Sequence, residues 1–220
     1  MAHVSSLDPA RVRDNAARVR EEIGAAARRV GRDPGEVELL TAVKYVELDD
    51  IGVLVEAGLT LLGENRAQQL DRKVAAWPDP ALRWHFIGQL QSRKVKQIVP
   101  HVELIHSVAS DSALRQLERH GTPETEILIE VNVAGEEGKA GVQPADLGDF
   151  LARAPVRVAG LMGMPPFTAD PEASRPHFAA LRELAAEHGL RHLSMGTSQD
   201  YVVAVEEGAT IVRLGSVLFE

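Results

Sequence analysis

The chain opens with an amphipathic pattern of helical period. Apolar side chains recur every three or four residues after Pro9, and many of the positions between them are charged. These apolar positions are Val12, Ala16, Val19, Ile23 and Ala27. Asp8 followed by Pro9 predicts the helix start, because a carboxylate caps the first amides and proline fits the first helical turn. Gly31 predicts the helix end, so a covering helix is expected here.

From Glu36 onward, short and continuous apolar runs alternate with longer helical patterns. Continuous apolar runs are typical of parallel strands that are buried on both faces. The predicted strands are residues 37–43, 59–62, 83–87, 102–105, 127–133, 156–161, 191–194 and 210–214. Helical patterns begin near Leu48, Asn65, Gln91, Asp111, Ala145, Glu172 and Gln199.

Eight strands with intervening helices are the number required for a closed barrel. An open, doubly wound sheet is the alternative, but no GxGxxG motif follows any of the predicted strands. The sequence therefore predicts the α/β class, with a (β/α)8 TIM-type barrel preceded by an extra N-terminal helix. Residues 1–220 are expected to form a single domain, since no linker or low-complexity tract interrupts the pattern.

Charge and composition exclude several classes of protein. A net charge of −8 argues against a nucleic-acid partner, because phosphate backbones are bound mainly by clustered Lys and Arg. The absence of cysteine excludes disulfides, thiolate zinc sites and a cysteine nucleophile. Residues 1–10 contain no apolar run of signal-peptide length, and no stretch is long enough to span a membrane. We expect a cytoplasmic monomer with no membrane partner.

Lys44 follows the apolar run of the first predicted strand. Binding groups in such barrels lie at the carboxyl ends of the strands, so Lys44 is a candidate binding residue. An ammonium group is costly to bury there, and desolvation would favour the neutral amine that attacks a carbonyl carbon to form an imine. The alternative is that Lys44 reaches solvent or pairs with a carboxylate.

The last two predicted strands end in small and hydroxyl-bearing residues. These are Ser194, Met195, Gly196, Thr197 and Ser198 in one loop, and Gly215 and Ser216 in the other. Barrels commonly hold a phosphate at this position, although ordinary turn chemistry would explain the same residues. Arg213 precedes the second loop and is interpreted either as a structural ion pair or as a donor to the nitrogen of a bound pyridine ring.

Two further groups of polar residues are less specific. His85 and His106 lie within or at the end of predicted strands, and hydrogen-bonded core histidines are favoured over metal ligands. Arg93, Lys94 and Lys96 have helical spacing after the third strand. They are most simply a solvated helix face, with a weak anion site as the alternative.

Nine ordered segments resemble the pyridoxal phosphate homeostasis proteins, a family that is similar to the barrel domain of alanine racemase. The segments are residues 42–46, 62–66, 84–91, 105–108, 130–133, 139–141, 160–162, 193–200 and 212–215. They are distributed along most of the chain, so the resemblance is nearly full length. Arg93 departs from the asparagine that is usual in the family, which leaves the role of its helix open.

The resemblance implies that pyridoxal 5'-phosphate is bound as a Schiff base on Lys44. It also implies phosphate contacts from Ser198 or Thr197 and from Gly215 and Ser216, with Arg213 near the pyridine nitrogen. Asn65, Ser107 and Met162 would line the pocket. Members of this family act in intracellular pyridoxal phosphate homeostasis as carriers or buffers without established turnover, and apo pyridoxal phosphate enzymes are the expected recipients.

Two enzymatic alternatives remain: a fold-type III pyridoxal phosphate enzyme such as an amino-acid racemase, and an aldolase-type barrel that uses Lys44 without a cofactor. A racemase needs acid/base groups on both faces of its substrate. Tyr45 is expected to point away from Lys44 toward the helices, because neighbouring residues of a strand alternate. Tyr201 is expected in the helix after strand seven. The carrier is therefore favoured, although a histidine base stays open.

Overall fold

Residues 6–220 are described by a computed structural model in which eight parallel strands close into a barrel. The strands are β1 (Glu38–Ala42), β2 (Leu61–Glu64), β3 (Arg83–Phe86), β4 (Leu104–Val108), β5 (Glu126–Glu130), β6 (Arg157–Met162), β7 (His192–Ser194) and β8 (Ile211–Leu214). Each strand pairs with the next along the chain, and β8 closes the barrel against β1, with Thr41 paired to Leu214. The predicted barrel and all eight predicted strands are confirmed.

Helices surround this barrel in the expected alternation. They are α1 (Pro9–Arg29), α2 (Ile51–Glu56), α3 (Ala67–Ala76), α4 (Val95–Ile98), α5 (Asp111–His120), α6 (Leu147–Ala152), α7 (Arg175–Glu187), α8 (Tyr201–Glu206) and α9 (Ser216–Phe219). Short 3-10 turns precede α2, α4, α6 and α7, which explains why several helical patterns begin before the α-helix itself. Among the helices of residues 6–220, none combines the length and apolar content of a membrane span.

Helix α1 is the predicted extra N-terminal helix. The Asp8 carboxylate caps it by accepting hydrogen bonds from the amides of Ala10 at 3.0 Å and Arg11 at 3.4 Å. Its apolar face is buried against α2, α8 and α9. The helix therefore covers the outside of the barrel where the last and first repeats meet.

Apolar side chains form two layers, one inside the barrel and one between the strands and the helices. The inner cluster is small and consists of Leu40, Leu61, Leu104, Leu128, Ala159, Met162 and Ile211. The outer cluster contains most of the remaining buried apolar residues. Because side chains alternate along each strand, Arg213, two residues after Ile211, and Glu130, two residues after Leu128, face the interior toward its carboxyl end, above this inner cluster.

Several strand ends differ from the prediction by one or more residues, and those of β4 and β5 show the local reasons. Strand β4 was predicted to end before His106 but continues to Val108, since the buried polar side chains His106 and Ser107 find hydrogen-bond partners there. Strand β5 ends at Glu130, earlier than predicted. The following residue, Val131, pairs only in an isolated bridge with Val142.

Candidate functional site

Lys44 lies in the turn that follows β1. The amide of Val46 donates to the carbonyl oxygen of Val43 at 3.1 Å, so Lys44 and Tyr45 are the two central residues of a β-turn. Both side chains are exposed, and Lys44 Nζ lies 5.0 Å from the centroid of the Tyr45 ring.

Two predictions about this segment were wrong. Lys44 was expected to be desolvated at the end of an apolar strand, and Tyr45 was expected to point toward the helices. The strand instead ends at Ala42, so the alternation of strand side chains no longer applies to the turn. Lys44 therefore follows the alternative given for it, in which its side chain reaches solvent at the carboxyl-end rim.

A buried ion pair that the sequence analysis missed lies beneath this turn. Lys73 Nζ on α3 is 2.6 Å from Glu64 Oε2 at the end of β2 and 2.5 Å from the carbonyl oxygen of Val43. The other Glu64 oxygen accepts from the amides of Asn65 at 2.7 Å and Arg66 at 3.1 Å. The available sequence signal was an acidic residue, Glu64, close after the apolar run of the predicted strand 59–62.

Arg213 lies inside the barrel with 7% of its surface exposed. Its guanidinium donates to the carbonyl oxygen of Ser194 at 2.6 Å, to Ser194 Oγ at 2.5 Å and to the carbonyl oxygen of Gly163 at 3.2 Å. Burial lowers the pKa of Arg213 to about 10, opposed by the attraction of Glu130 and Asp200, so the group is still charged at neutral pH. Of the two interpretations of Arg213, a direct ion pair is not seen among the described residues, where the guanidinium bonds to neutral oxygens.

Glu130, at the end of β5, is a second buried charge that the sequence analysis missed. It is 8% exposed, and burial raises the pKa of its carboxyl group, while the nearby charges of Arg213 and Lys139 oppose the shift. Its sequence signal was a lone acidic residue within the apolar run of the predicted strand 127–133. The attraction between Glu130 and Arg213 helps to keep the guanidinium inside the barrel.

Arg213 starts a hydrogen-bonded series of side chains that runs through the barrel. His106 Nδ1 is 2.8 Å from Ser194 Oγ, and His106 Nε2 is 3.0 Å from His85 Nδ1. Because arginine only donates, Ser194 accepts from Arg213 and donates to His106, and neutral His106 then donates to His85. His85 Nε2 lies 3.8 Å from Glu103 Oε2, and this interaction with His85 is the largest cause of the lowered pKa of Glu103. The prediction of hydrogen-bonded core histidines is confirmed.

The buried imidazole of His106 should make stability depend on pH. Burial, aided by the charges of His85, Arg213 and His192, lowers the pKa of His106 well below 6.5. As the pH falls through about 6.5, the unfolded chain takes up a proton on this histidine that the folded chain does not. The contribution of neutral His106 to the free energy of unfolding is therefore complete above that pH and is lost as the pH falls. The slope should approach about 1.4 kcal/mol per pH unit for one proton.

Urea unfolding between pH 7.5 and 5 measures this effect in the parent and in His106→Gln, which lacks the titrating ring. The variant should show a shallower loss of unfolding free energy below pH 6.5. His177→Gln on α7, outside the barrel interior, is the control and should keep the parent slope. Equal slopes in the parent and in His106→Gln would contradict the assignment.

The two loops predicted to hold a phosphate lie side by side. Ser198 Oγ accepts hydrogen bonds from the amides of Gly215 and Val217, each at 3.4 Å. Gly196 has a φ of +91°, and a Cβ added there would lie 2.6 Å from the Ala204 Cβ, so only glycine fits. Thr197 is fixed by Asp200, which accepts from its amide at 2.8 Å and from its hydroxyl at 3.2 Å.

Two other predicted pocket residues lie at the same end of the barrel. Met162 ends β6, is 4% exposed and belongs to the inner apolar cluster. Asn65 follows β2, and its Oδ1 is buried without a hydrogen-bond partner among the described residues. A buried acceptor of this kind is costly unless a ligand supplies a donor.

The side chains of the remaining predicted residues are less well placed to contact a ligand. Ser107 is buried and donates its hydroxyl to the carbonyl oxygen of Gly88. Met195, predicted as part of the phosphate loop, is fully buried in the outer apolar cluster, so its side chain faces away from the barrel interior. Its neighbour Ser194 points inward instead, as strand alternation requires. Ser216 is exposed at the start of α9.

The three basic residues Arg93, Lys94 and Lys96 do not share one surface in the structure. Arg93 and Lys94 line a cleft of about 250 Å³ that also contains Arg66 and Asn65, whereas Lys96 is an exposed residue of α4. Arg93 donates to the side chain of Gln91 at 3.2 Å. The cleft opens beside the rim on which Asn65 lies.

Known proteins share both the sequence and the barrel. A pyridoxal phosphate homeostasis protein of Aquifex aeolicus is 43% identical over 215 residues, covering 92% of this chain and 94% of that protein. The chain belongs to the pyridoxal phosphate homeostasis protein family. The resemblance found in the sequence is thereby confirmed, although no family model matches the chain.

Solved structures similar to this family member agree with that assignment. PipY of Synechococcus elongatus with pyridoxal phosphate bound is 32% identical, covers 92% of this chain and 100% of its own, and has a TM-score of 0.77. Alanine racemase of Corynebacterium glutamicum has a TM-score of 0.76 at 13% identity, over 97% of this chain and 62% of the racemase. This second likeness concerns the fold alone and confirms the expected alanine racemase-like barrel.

Proposed function

We propose that this chain binds pyridoxal 5'-phosphate covalently through Lys44 and acts inside the cell as a carrier and buffer of that cofactor, without catalytic turnover. The observation that carries the proposal is that the carboxyl ends of β1 and β8 are adjacent. These strands pair directly, and a Cβ added to Gly215 would lie 3.6 Å from the carbonyl oxygen of Ala42. The Lys44 turn and the Gly215 loop therefore lie on one rim. The PipY structure with the cofactor bound supports the same reading.

The residues on this rim fit a phosphorylated pyridine aldehyde. The amides of Gly215 and Val217 make only long hydrogen bonds of 3.4 Å to Ser198 Oγ, and a phosphate oxygen would be a stronger acceptor for them. The orphaned Asn65 Oδ1 would gain a donor from a ligand. The three hydrogen bonds of Arg213 to described residues leave two of its five N–H donors for a ligand acceptor.

Each of these residues would have a distinct task. When bound, the cofactor supplies an aldehyde that bonds to a lysine amine. Lys44 provides that amine, while Ser198 and the amides of Gly215 and Val217 hold the phosphate. Arg213 donates to the ring nitrogen and cannot accept from it, so that nitrogen stays unprotonated. An unprotonated ring is a weaker electron sink, which supports binding without turnover.

The two tyrosines differ in what they offer an enzyme. Tyr201 packs in the outer apolar cluster, its hydroxyl donates to Glu22 of α1, and burial raises its pKa. It therefore belongs to the helical layer. Tyr45 instead lies beside Lys44 on the rim, and this observation favours the second candidate function, a fold-type III enzyme such as an amino-acid racemase.

Two measurements on the purified protein test the proposal. Borohydride reduction after incubation with pyridoxal phosphate, followed by peptide mass mapping, should place the adduct on the peptide that contains Lys44. Incubation of the loaded protein with a panel of amino acids in heavy water should give essentially no exchange of their α-protons. An adduct on another lysine would refute the site, and exchange that is lost in Tyr45→Phe would favour the racemase.

A further inference from the structure

The turn that carries Lys44 lies at the carboxyl-end rim of the barrel, directly after β1. Its two central side chains, Lys44 and Tyr45, are exposed, whereas the flanking residues Val43 and Val46 are buried. An exposed turn of this kind opens readily unless hydrogen bonds hold it. The carbonyl oxygen of Val43 is one point at which it is held, because it accepts from both Val46 N at 3.1 Å and Lys73 Nζ at 2.5 Å.

Lys73 and Glu64 are buried to an extent that is unusual for charged residues. Lys73 is 3% exposed and Glu64 is 0% exposed. Taking two charges out of water often costs as much as their attraction returns, and well-packed apolar residues are commonly as good or better for stability. A buried pair of this kind is therefore weak evidence for a stabilising role. Its hydrogen bonds to the backbone on either side suggest a positional role instead.

We infer that Lys73 is a positioning residue for Lys44. Its ammonium group, fixed by Glu64, holds the Val43 carbonyl and thereby keeps the turn in the conformation that presents the Lys44 amine on the rim. The inference rests on the proposed covalent role of Lys44.

The same ion pair also fixes a second part of the rim. Glu64 Oε1 accepts from the amides of Asn65 and Arg66, at 2.7 Å and 3.1 Å, where the chain enters α3. One carboxylate therefore sets the backbone next to Asn65 while its partner ammonium sets the backbone next to Lys44. The pair holds these two segments, from neighbouring strands β1 and β2, in a constant relative position.

The double variant Glu64→Gln/Lys73→Met tests this role. It leaves no unpaired buried charge, keeps an amide oxygen for the Asn65 and Arg66 amides, and removes the donor to Val43. Borohydride trapping at fixed times should show adduct formation on Lys44 slowed by about tenfold or more, as expected when a reacting group loses its orientation. Amide hydrogen exchange at Val46, followed by NMR, should accelerate in the protein without cofactor.

Two controls separate positioning from general loss of stability. Glu126→Gln/Arg157→Met removes an ion pair between β5 and β6, at the amino end of the barrel, and Leu117→Val loosens the core at α5. Both should keep the parent rate of adduct formation and the parent exchange at Val46.

The outcomes distinguish this inference from the function on which it rests. A folded double variant with parental Val46 exchange, or with a parental rate of adduct formation, overturns the role of Lys73. If the parent protein forms no adduct on Lys44, the proposed function fails. The Val46 exchange rate then still decides whether Lys73 holds the turn.

Discussion

Lys44→Ala is expected to abolish covalent attachment of pyridoxal phosphate while leaving weaker, reversible binding. The amine that forms the bond is removed, but Ser198, Gly215 and Arg213 keep their places, since Lys44 is exposed and supports no part of the core. The adduct should therefore disappear completely from mass spectra after borohydride reduction. Equilibrium dialysis against excess cofactor should still show binding.

Lys96→Ala is the matched control, because it removes another exposed lysine that does not line the rim. That variant should form the adduct as the parent does. A Lys44→Ala protein that still yields the full amount of reduced adduct would exclude Lys44 as the attachment site. A folded variant that holds no ligand under excess cofactor would show instead that the phosphate loops do not bind.

Arg213→Met should weaken cofactor binding by roughly 10- to 100-fold, the usual loss when a hydrogen bond from a charged donor is removed. Methionine resembles the stem of the arginine and limits the cavity that Arg213→Ala would leave. The variant should also melt at a lower temperature, since Ser194 and Gly163 lose the donor that now satisfies them. Dissociation constants and melting curves, measured on the same preparations, separate the two effects.

Arg157→Met removes an arginine from the amino end of β6 and should leave the dissociation constant unchanged. If Arg213→Met binds the cofactor as tightly as the parent, Arg213 is a structural residue only. Its hydrogen bonds to Ser194 and Gly163 would then be its whole purpose.

The barrel was predictable because its signals are local. Each strand is a continuous apolar run, and α1 shows both its cap at Asp8 and its apolar face in consecutive residues. The position of Lys44 at a strand end was predictable for the same reason. Its exposure was not, since the apolar character of Val43 concealed that the strand had already ended at Ala42.

The groups that orient the site depend on contacts between distant parts of the chain. Lys73 was missed because its second acceptor is the backbone carbonyl of Val43, which has no signature in the sequence. His106 was recognised as a core histidine, but its partner Ser194 lies 88 residues away and meets it only once the barrel closes. Hydrogen bonds between such distant residues can be identified only from the three-dimensional arrangement of the strands.

The solvent-facing amine of Lys44 bears on how such a protein would unload. Water and competing amines reach an exposed nitrogen directly, so the proposed bond to Lys44 would be reversed without a conformational change of the barrel. Release of pyridoxal phosphate would then increase when the concentration of the free cofactor in solution falls. A carrier that releases its cofactor in this way would not need a conformational change to open the binding site.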